Sequence, residues 1–261
     1  MNNLTLRELR GKYKRSVLGW SWSLLNPLAT MAIFTVVFAY FLKVKVPPGN
    51  PSGLSVFALF LLCGLLPFNF LANGMSGSMG ALIGNANLIK KVYFPREILV
   101  AANVASWAVS LLIELAVLLV ALVIVGNFAI PWLPLVLVLV ALQCLFVTGI
   151  GLALSVMNVY FRDVQHLIGI VVQLWFYATP IVYPITVVPQ KANILGVRVP
   201  LRFIYDLNPM VRFVQCYRAA LYDLRMPPAS VLLYVTVMSF ASLFVGFAVF
   251  AKLEPRLAEE L

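Results

Sequence analysis

The chain has 261 residues, 62% of them hydrophobic and 11% charged, with a mean hydropathy of +0.98. Soluble domains carry about 25% charged and about 45–50% apolar residues; a core of this size cannot hide the surplus, so a soluble enzyme or binding domain is excluded and the missing solvent is lipid. The formal charge of +10, from 19 Lys and Arg against 9 Asp and Glu, flanks apolar runs and forms no soluble basic face, which points away from nucleic acid and toward anionic membrane lipid or an anionic lipid-borne substrate.

Residues 1–20 read as an amphipathic helix in the headgroup plane. Leu6, Leu9, Tyr13, Val17 and Trp20 recur at three- and four-residue steps, Arg7, Arg10 and Lys14 occupy another face, and Lys12 and Arg15 add to the charge. Two roles fit: a plain cationic anchor, or a guide that brings an anionic lipid-linked substrate to the protein. The polar start and the long apolar run behind it predict no cleavable signal peptide. Trp20 and Trp22 mark the interface where the first span begins.

Six runs reach the roughly 20 apolar residues that a helical span needs: 24–43, 55–79, 102–125, 132–157, 167–188 and 229–251. Helix is the economical conformation because backbone groups in lipid must be paired within the segment. An even number of spans puts both termini on one side. With that side cytoplasmic, its loops and tails carry Arg7, Arg10, Lys12, Lys14, Arg15, Lys90, Lys91, Arg96, Arg162, Lys252 and Arg256. The outer side carries Lys43 and Lys45 in the short loops and six more in 189–228, so the bias is 11 against 8 overall and 11 against 2 once the long segment is set aside. In the second run Gly74, Gly77, Gly80 and Gly84 form a stripe whose Gly80–Gly84 spacing suits close helix packing.

Between the second and third runs lies NANLIKKVYFPREILV, residues 85–100. Leu88, Ile89, Val92 and Tyr93 form an apolar edge and Lys90 and Lys91 point elsewhere. Asn85 or Asn87 can cap the start, and Pro95 disfavours helical geometry at Phe94. The expected product is a helix of about two turns with exposed aromatic tips, either tucked against the membrane or serving as a knob for a partner's groove.

Glu114 is the one acid well inside a span, and since no other span carries Asp, Glu, Lys or Arg near its middle it reads as protonated or bonded at a subunit interface. After the fourth run, Arg162 and Asp163 fit helix capping, local pairing or a second contact with a partner, and His166 an interfacial structural place. Cys63, Cys144 and Cys216 lack metal spacing and read as small hydrophobes, so no metal site is expected. Phe34, Phe38 and Tyr40 in the first span and Trp175, Phe176, Tyr177 and Tyr183 in the fifth fit either packing or a lining on which sugar rings slide. In 189–228, broken by prolines, Asn208 as cap and Pro209 at the first helical position start a helix of about 14 residues. Val211, Val214, Tyr217 and Leu221 share its face and Arg212 and Arg218 lie away from it; it is too short to span and is re-entrant or interfacial.

The phrases KYKRSVLGWSWSLLNP (12–27), NLIKKVYFPREIL (87–99), YFRDVQHL (160–167), ATPIVYP (178–184) and LNP (207–209) resemble, in order and over nearly the whole chain, permeases of the type-2 ABC exporter family, in particular the branch exporting polysaccharides, O-antigens and teichoic acids. The resemblance implies that residues 86–94 form a coupling helix that docks into a separate ATPase. Leu88, Ile89, Lys90, Lys91, Val92, Tyr93 and Phe94 make the knob, and Pro95, Arg96 and Glu97 its rigid exit. It further implies that 189–228 holds a pair of outer gate helices including Asn208, Pro209, Arg212 and Tyr217, and it favours the aromatic track. No G-x-x-x-x-G-K-[ST] occurs in the chain, so ATP and Mg belong to a partner subunit.

The expectation is an all-α membrane protein, one domain over 1–261, with six transmembrane helices, an N-terminal interface helix, a cytoplasmic coupling helix and re-entrant gate helices. As a permease subunit in a bacterial inner membrane, it forms a homodimer, binds two ABC ATPase subunits and passes a lipid-linked glycan. The nearest alternative is a type-2 exporter of drugs or small lipids. A membrane enzyme acting on polyprenyl-linked sugars needs clustered acids or a metal site, and a proton- or sodium-driven carrier needs a relay that Glu114 alone does not make.

Overall fold

The computed structural model describes residues 4–5, 21–44, 46–91, 94–194 and 197–257. Of the residues expected to act, Arg7, Arg10, Lys12, Lys14, Arg15, Val92 and Tyr93 lie outside these. The protein is helical: α1 (Ser21–Phe34, continuing as a π-helix over Thr35–Phe41), α2 (Phe57–Ala81), α3 (Ala86–Lys91), α4 (Glu97–Ile124), α5 (Leu133–Tyr160), α6 (Val164–Tyr177), α7 (Leu201–Leu207), α8 (Pro209–Arg218, with a π continuation Ala219–Asp223) and α9 (Ala229–Leu253). A short antiparallel hairpin, β1 (Ala192–Ile194) with β2 (Val197–Val199), precedes α7.

Among the described residues five helices are long and apolar enough to cross a membrane: α1 with its continuation, α2, α4, α5 and α9. The expected fifth span, 167–188, is different. α6 has 14 residues, about 21 Å at 1.5 Å per residue against a hydrocarbon core of about 30 Å. Pro180 and Pro184 explain the stop, since each withholds an amide and drives the residue before it out of helical geometry. The irregular segment that follows is buried from Thr179 to Val182, and buried surroundings are what tolerate non-helical backbone at membrane depth.

α2 is the central element, with α4, α5, α8 and α6 packed around it. Its exposed residues are Asn73, Ser76 and Gly80 alone, one face at four- and three-residue steps. Gly80 and Gly84, expected at a helix contact, face open space instead. The close crossing lies elsewhere. A Cβ on Gly246 of α9 would meet the carbonyl of Gly149 on α5, and one on Gly149 would meet the Ser242 backbone. The Ser242 hydroxyl donates to the Phe146 carbonyl beside this crossing at 2.8 Å, and the α5–α9 pairing is the most extensive in the molecule.

A large apolar cluster fills the middle of the bundle and the end carrying the hairpin. A smaller one, including Leu82, Ile89, Leu99, Val156, Phe250 and Leu257, closes the end carrying the C-terminal tail, and Leu4 packs against it. Cys63 and Cys216 are buried and Cys144 half-buried, all as free thiols.

Candidate functional site

At the tail end, a 3-10 turn over Ile83–Asn85 leads into α3, described over Ala86–Lys91, and Phe94, the last residue of the expected helix, is not helical. The Asn85 side-chain amide reaches back to the Ala81 carbonyl at 2.8 Å. Leu88 and Ile89 turn inward onto the tail-end cluster, and Lys90 and Lys91 face outward. Phe94, expected as an exposed tip, is half-buried against the same cluster: a ring beside so much apolar surface is more stable under cover. Pro95 and Arg96 form the turn, and Glu97 is the first residue of α4 and not part of a separate exit. Arg96 ties the turn to α9, donating Nη1 to the Glu254 carbonyl at 3.0 Å with its Nε 3.9 Å from the Glu254 carboxylate. The Tyr160 hydroxyl donates to the Leu253 carbonyl at 2.8 Å. What protrudes is therefore a lysine-tipped turn of helix on an apolar base. Arg162 and Asp163 are exposed in the turn between α5 and α6, and Asp163 makes no side-chain cap bond there.

In the middle of the bundle, the expected aromatic track divides. Phe34 lies edge-on to Phe38 at 5.7 Å and stacks on Phe176 at 6.0 Å. Phe176 meets Phe68 of α2 at 5.3 Å and Tyr177 at 5.3 Å. These rings join α1, α2 and α6. Trp175 and Tyr183 are half-buried and hydrogen-bonded, Trp175 to Asn208 and Tyr183 to the Tyr177 carbonyl at 2.7 Å. Only Tyr40 and Tyr177, at 79% and 63% exposure, present most of their rings outward. α6 bares Gln165, His166, Gly169 and Gln173 along one line, with Leu167, Ile170, Val171 and Leu174 exposed beside it, and α2 bares Asn73 and Ser76. Amides are costly to leave against hydrocarbon without partners, so these two stripes suit water or a second polypeptide better than lipid. Glu114 is half-buried beside an apolar groove between α1, α2 and α4.

At the hairpin end the expected cap is present and does more than cap. Asn208 Oδ1 accepts from the Met210 amide at 3.0 Å and from the Trp175 indole at 2.8 Å, and Nδ2 donates to the Ala178 carbonyl at 3.2 Å and the Thr179 hydroxyl at 3.3 Å. One side chain thus fastens α8 to the end of α6. Pro209 follows at the first helical position, where its missing amide costs nothing. Val211, Val214, Tyr217 and Leu221 are all buried, as their spacing predicts. Arg212 pairs with Asp206 at 3.3 Å and lies 6.0 Å from the Tyr234 ring centre.

Two residues that sequence reasoning did not place in a site organise this end. Gln143, wholly buried in α5, accepts from the Tyr217 hydroxyl at 3.0 Å and donates to the Pro67 carbonyl at 2.7 Å, joining α8, α5 and α2. Arg218 donates to the carbonyls of Pro180 and Ile181, both at 2.6 Å, and of Phe60 at 3.4 Å, with its guanidinium 3.6 Å over the Phe60 ring. The carbonyls left over at the end of the π continuation are met by Asn127, which donates to Leu221 at 2.8 Å, and by Ser52, which donates to Tyr222 at 2.6 Å.

Known proteins share this architecture's sequence. The family described as ABC-2 type transporter matches residues 2–222. The chain is 28% identical to the O-antigen export system permease protein RfbA of Myxococcus xanthus, covering 99% of this chain and 94% of that one. It is 30% identical to an O-antigen export system permease protein RfbA of Klebsiella pneumoniae, over 99% and 93% of the two chains. It is also 26% identical to the polysialic acid transport protein KpsM of Escherichia coli, over 96% and 92%. With a match that runs from residue 2 to residue 222, on a bundle of apolar spans, this chain is a multi-pass membrane protein and belongs to the ABC-2 type transporter family.

Proposed function

We propose that this chain is the membrane subunit of an ATP-driven exporter of a lipid-linked polysaccharide. The observation that carries the reading is the end-to-end similarity to permeases named for O-antigen export and polysialic acid transport. Two copies face each other across the stripes of α2 and α6. One helix bundle has too few spans to enclose a glycan, and Asn73, Ser76, Gln165 and Gln173 give a polar wall that needs neither tight binding nor sequence recognition. Tyr40 and Tyr177 offer ring faces to the apolar C–H faces of passing sugars, and α7 and α8 form the outer gate. The cations of the N-terminal segment attract the anionic lipid-linked end of the cargo.

ATP is hydrolysed by two separate subunits that dock on the loop containing α3. Lys90 and Lys91 supply the charged rim, and the apolar base of Leu88, Ile89 and Phe94 carries movement into α2, α4 and α9. Both termini are cytoplasmic, in a bacterial inner membrane: α6 with the buried irregular segment behind it makes the crossing that α6 alone is too short for, and Leu4 and Leu257 meet in one cluster at the tail end. A drug or small-lipid exporter shares the architecture, but the named relatives favour the glycan.

The test is purification of the tagged protein from its host in mild detergent, with mass spectrometry of associated proteins. The expected result is a P-loop ATPase at roughly one per copy, lost in the Lys90→Glu/Lys91→Glu variant while the protein stays monodisperse. An active preparation without an ATPase, or one whose ATPase ignores the charge reversal, overturns the exporter reading or the docking assignment respectively.

A further inference from the structure

The hairpin end holds a cavity of about 370 Å³ between the Pro47–Pro48 turn, the Pro180–Thr186 segment, α8 and the start of α9. Three arginines line it: Arg212, Arg218 and Arg225, together with Gln215, the Phe60 ring and Asp223. Their charges are unequally matched. Arg212 has the Asp206 carboxylate at 3.3 Å. Arg225 meets Asp223 through Nε at 3.2 Å, and its side chain is 56% exposed. Arg218 is held by three carbonyl oxygens, and among the described residues no carboxylate lies within 4 Å of it. A guanidinium has five N–H donors. Three of Arg218's are occupied by those carbonyls, which leaves one on each terminal nitrogen for a further acceptor. The Phe60 ring beneath the guanidinium fixes its plane.

The surplus extends beyond the cavity. Residues 189–228 carry Lys191, Arg198, Arg202, Arg212, Arg218 and Arg225 against Asp206 and Asp223. In the proposed orientation this segment lies on the far side, where cations are disfavoured in short loops, so the surplus runs against the usual bias. The volume is that of a small-molecule site, which starts at about 300 Å³.

We propose that this cavity binds a phosphate ester, with Arg218 and Arg225 as the recognising cations and Gln215 as a neutral donor beside them. Phosphate reaches this depth from two sources, the headgroup of a bilayer phospholipid or the phosphate joining a polyprenyl lipid to its glycan. The assignment rests on the cavity's own chemistry and stands or falls apart from the export reading.

Native mass spectrometry of the full-length protein in a neutral detergent tests it with four probes: dioleoyl phosphatidic acid, a polyprenyl phosphate, dioleoylglycerol and the matching polyprenol. The phosphorylated probe of at least one pair should be retained about tenfold more tightly than its phosphate-free partner, and both Arg225→Gln and Arg218→Gln should cut that preference by about threefold or more. Arg225 is exposed and tied only to Asp223, so its variant keeps the fold if Arg218→Gln does not. Retention of polyprenyl phosphate alone assigns the site to cargo, of phosphatidic acid alone to bilayer lipid, and of both to phosphate regardless of tail. Equal retention with and without phosphate, or a preference unchanged by Arg225→Gln, overturns the proposal.

Discussion

The two ends of the bundle are secured by different chemistry. At the hairpin end the polar groups point inward: Asn208 holds α6 to α8, Gln143 holds α8 to α2 through α5, and Arg218 holds α8 to the Pro180–Ile181 turn. At the tail end α3 rests on Leu88 and Ile89 with Lys90 and Lys91 turned outward, and the polar ties are fewer: Arg96 meets Glu254 by one hydrogen bond and one long ion pair, and Tyr160 donates to the Leu253 carbonyl. Directional bonds to fixed carbonyls hold a position, whereas apolar contact resists separation and permits sliding. An element that must open as a unit is suited by the first, and one that must accept a push and pass it on by the second. α1 is the least covered of these helices, with 6% of its most apolar 18-residue stretch buried against 78% for that of α2.

The contrast is broken most severely where the ends are joined. Gly246→Val places a branched side chain against the Gly149 backbone, where even a Cβ has no room. The α5–α9 pairing must part, at about 3 kcal/mol or more. The measurement is the yield of monodisperse protein and its thermal midpoint in detergent, and a wild-type profile would show that the crossing is not close.

Next in size is the hairpin end itself. Gln143→Leu keeps the volume nearly unchanged but leaves the Tyr217 hydroxyl and the Pro67 carbonyl facing an apolar side chain, at about 1–3 kcal/mol. Tyr217→Phe removes one partner of one bond and should cost about 1 kcal/mol. The double variant should cost less than the sum, because with the hydroxyl gone as well no donor is stranded beside the apolar replacement in α5. Additive losses would mean that the bridge carries no coupling between α8 and α5.

Periodicity and charge made the long helices legible: α2, α4, α5 and α9 lie within a few residues of the expected runs, and the Asn208–Pro209 start of α8 was readable from local capping chemistry. The fifth span misled because hydropathy does not register where a chain folds back: ATPIVYP is as apolar as a helix, and its two prolines were the overlooked signal. The aromatic run was similarly ambiguous, since Phe176 and Tyr177 are neighbours in sequence yet one is packed and the other bare. Gln143 had a signal too, as an amide in the middle of an apolar run that must find a partner on another helix. A search for ionisable groups alone, which singled out Glu114, passes over it. The pairing of Gly149 with Gly246 had no such signal, because which two of 15 glycines meet is decided by the packing of helices distant in sequence.

The smallest expected effect tests the other half of the comparison. Arg96→Ala removes the Glu254 pair and the Nη1 bond to the Glu254 carbonyl, yet both side chains are partly exposed and the charged contact is 3.9 Å long. Pairs of this kind contribute about 0–1 kcal/mol, so the thermal midpoint in detergent should move far less than for Gln143→Leu. Because the tail end is held by apolar packing, Leu88→Ala or Ile89→Ala should exceed Arg96→Ala there. If Arg96→Ala instead matched the Gln143 variant, the tail end would depend on its polar tie as the hairpin end does, and α3 would be as firmly fixed to α9 as α8 is to α2.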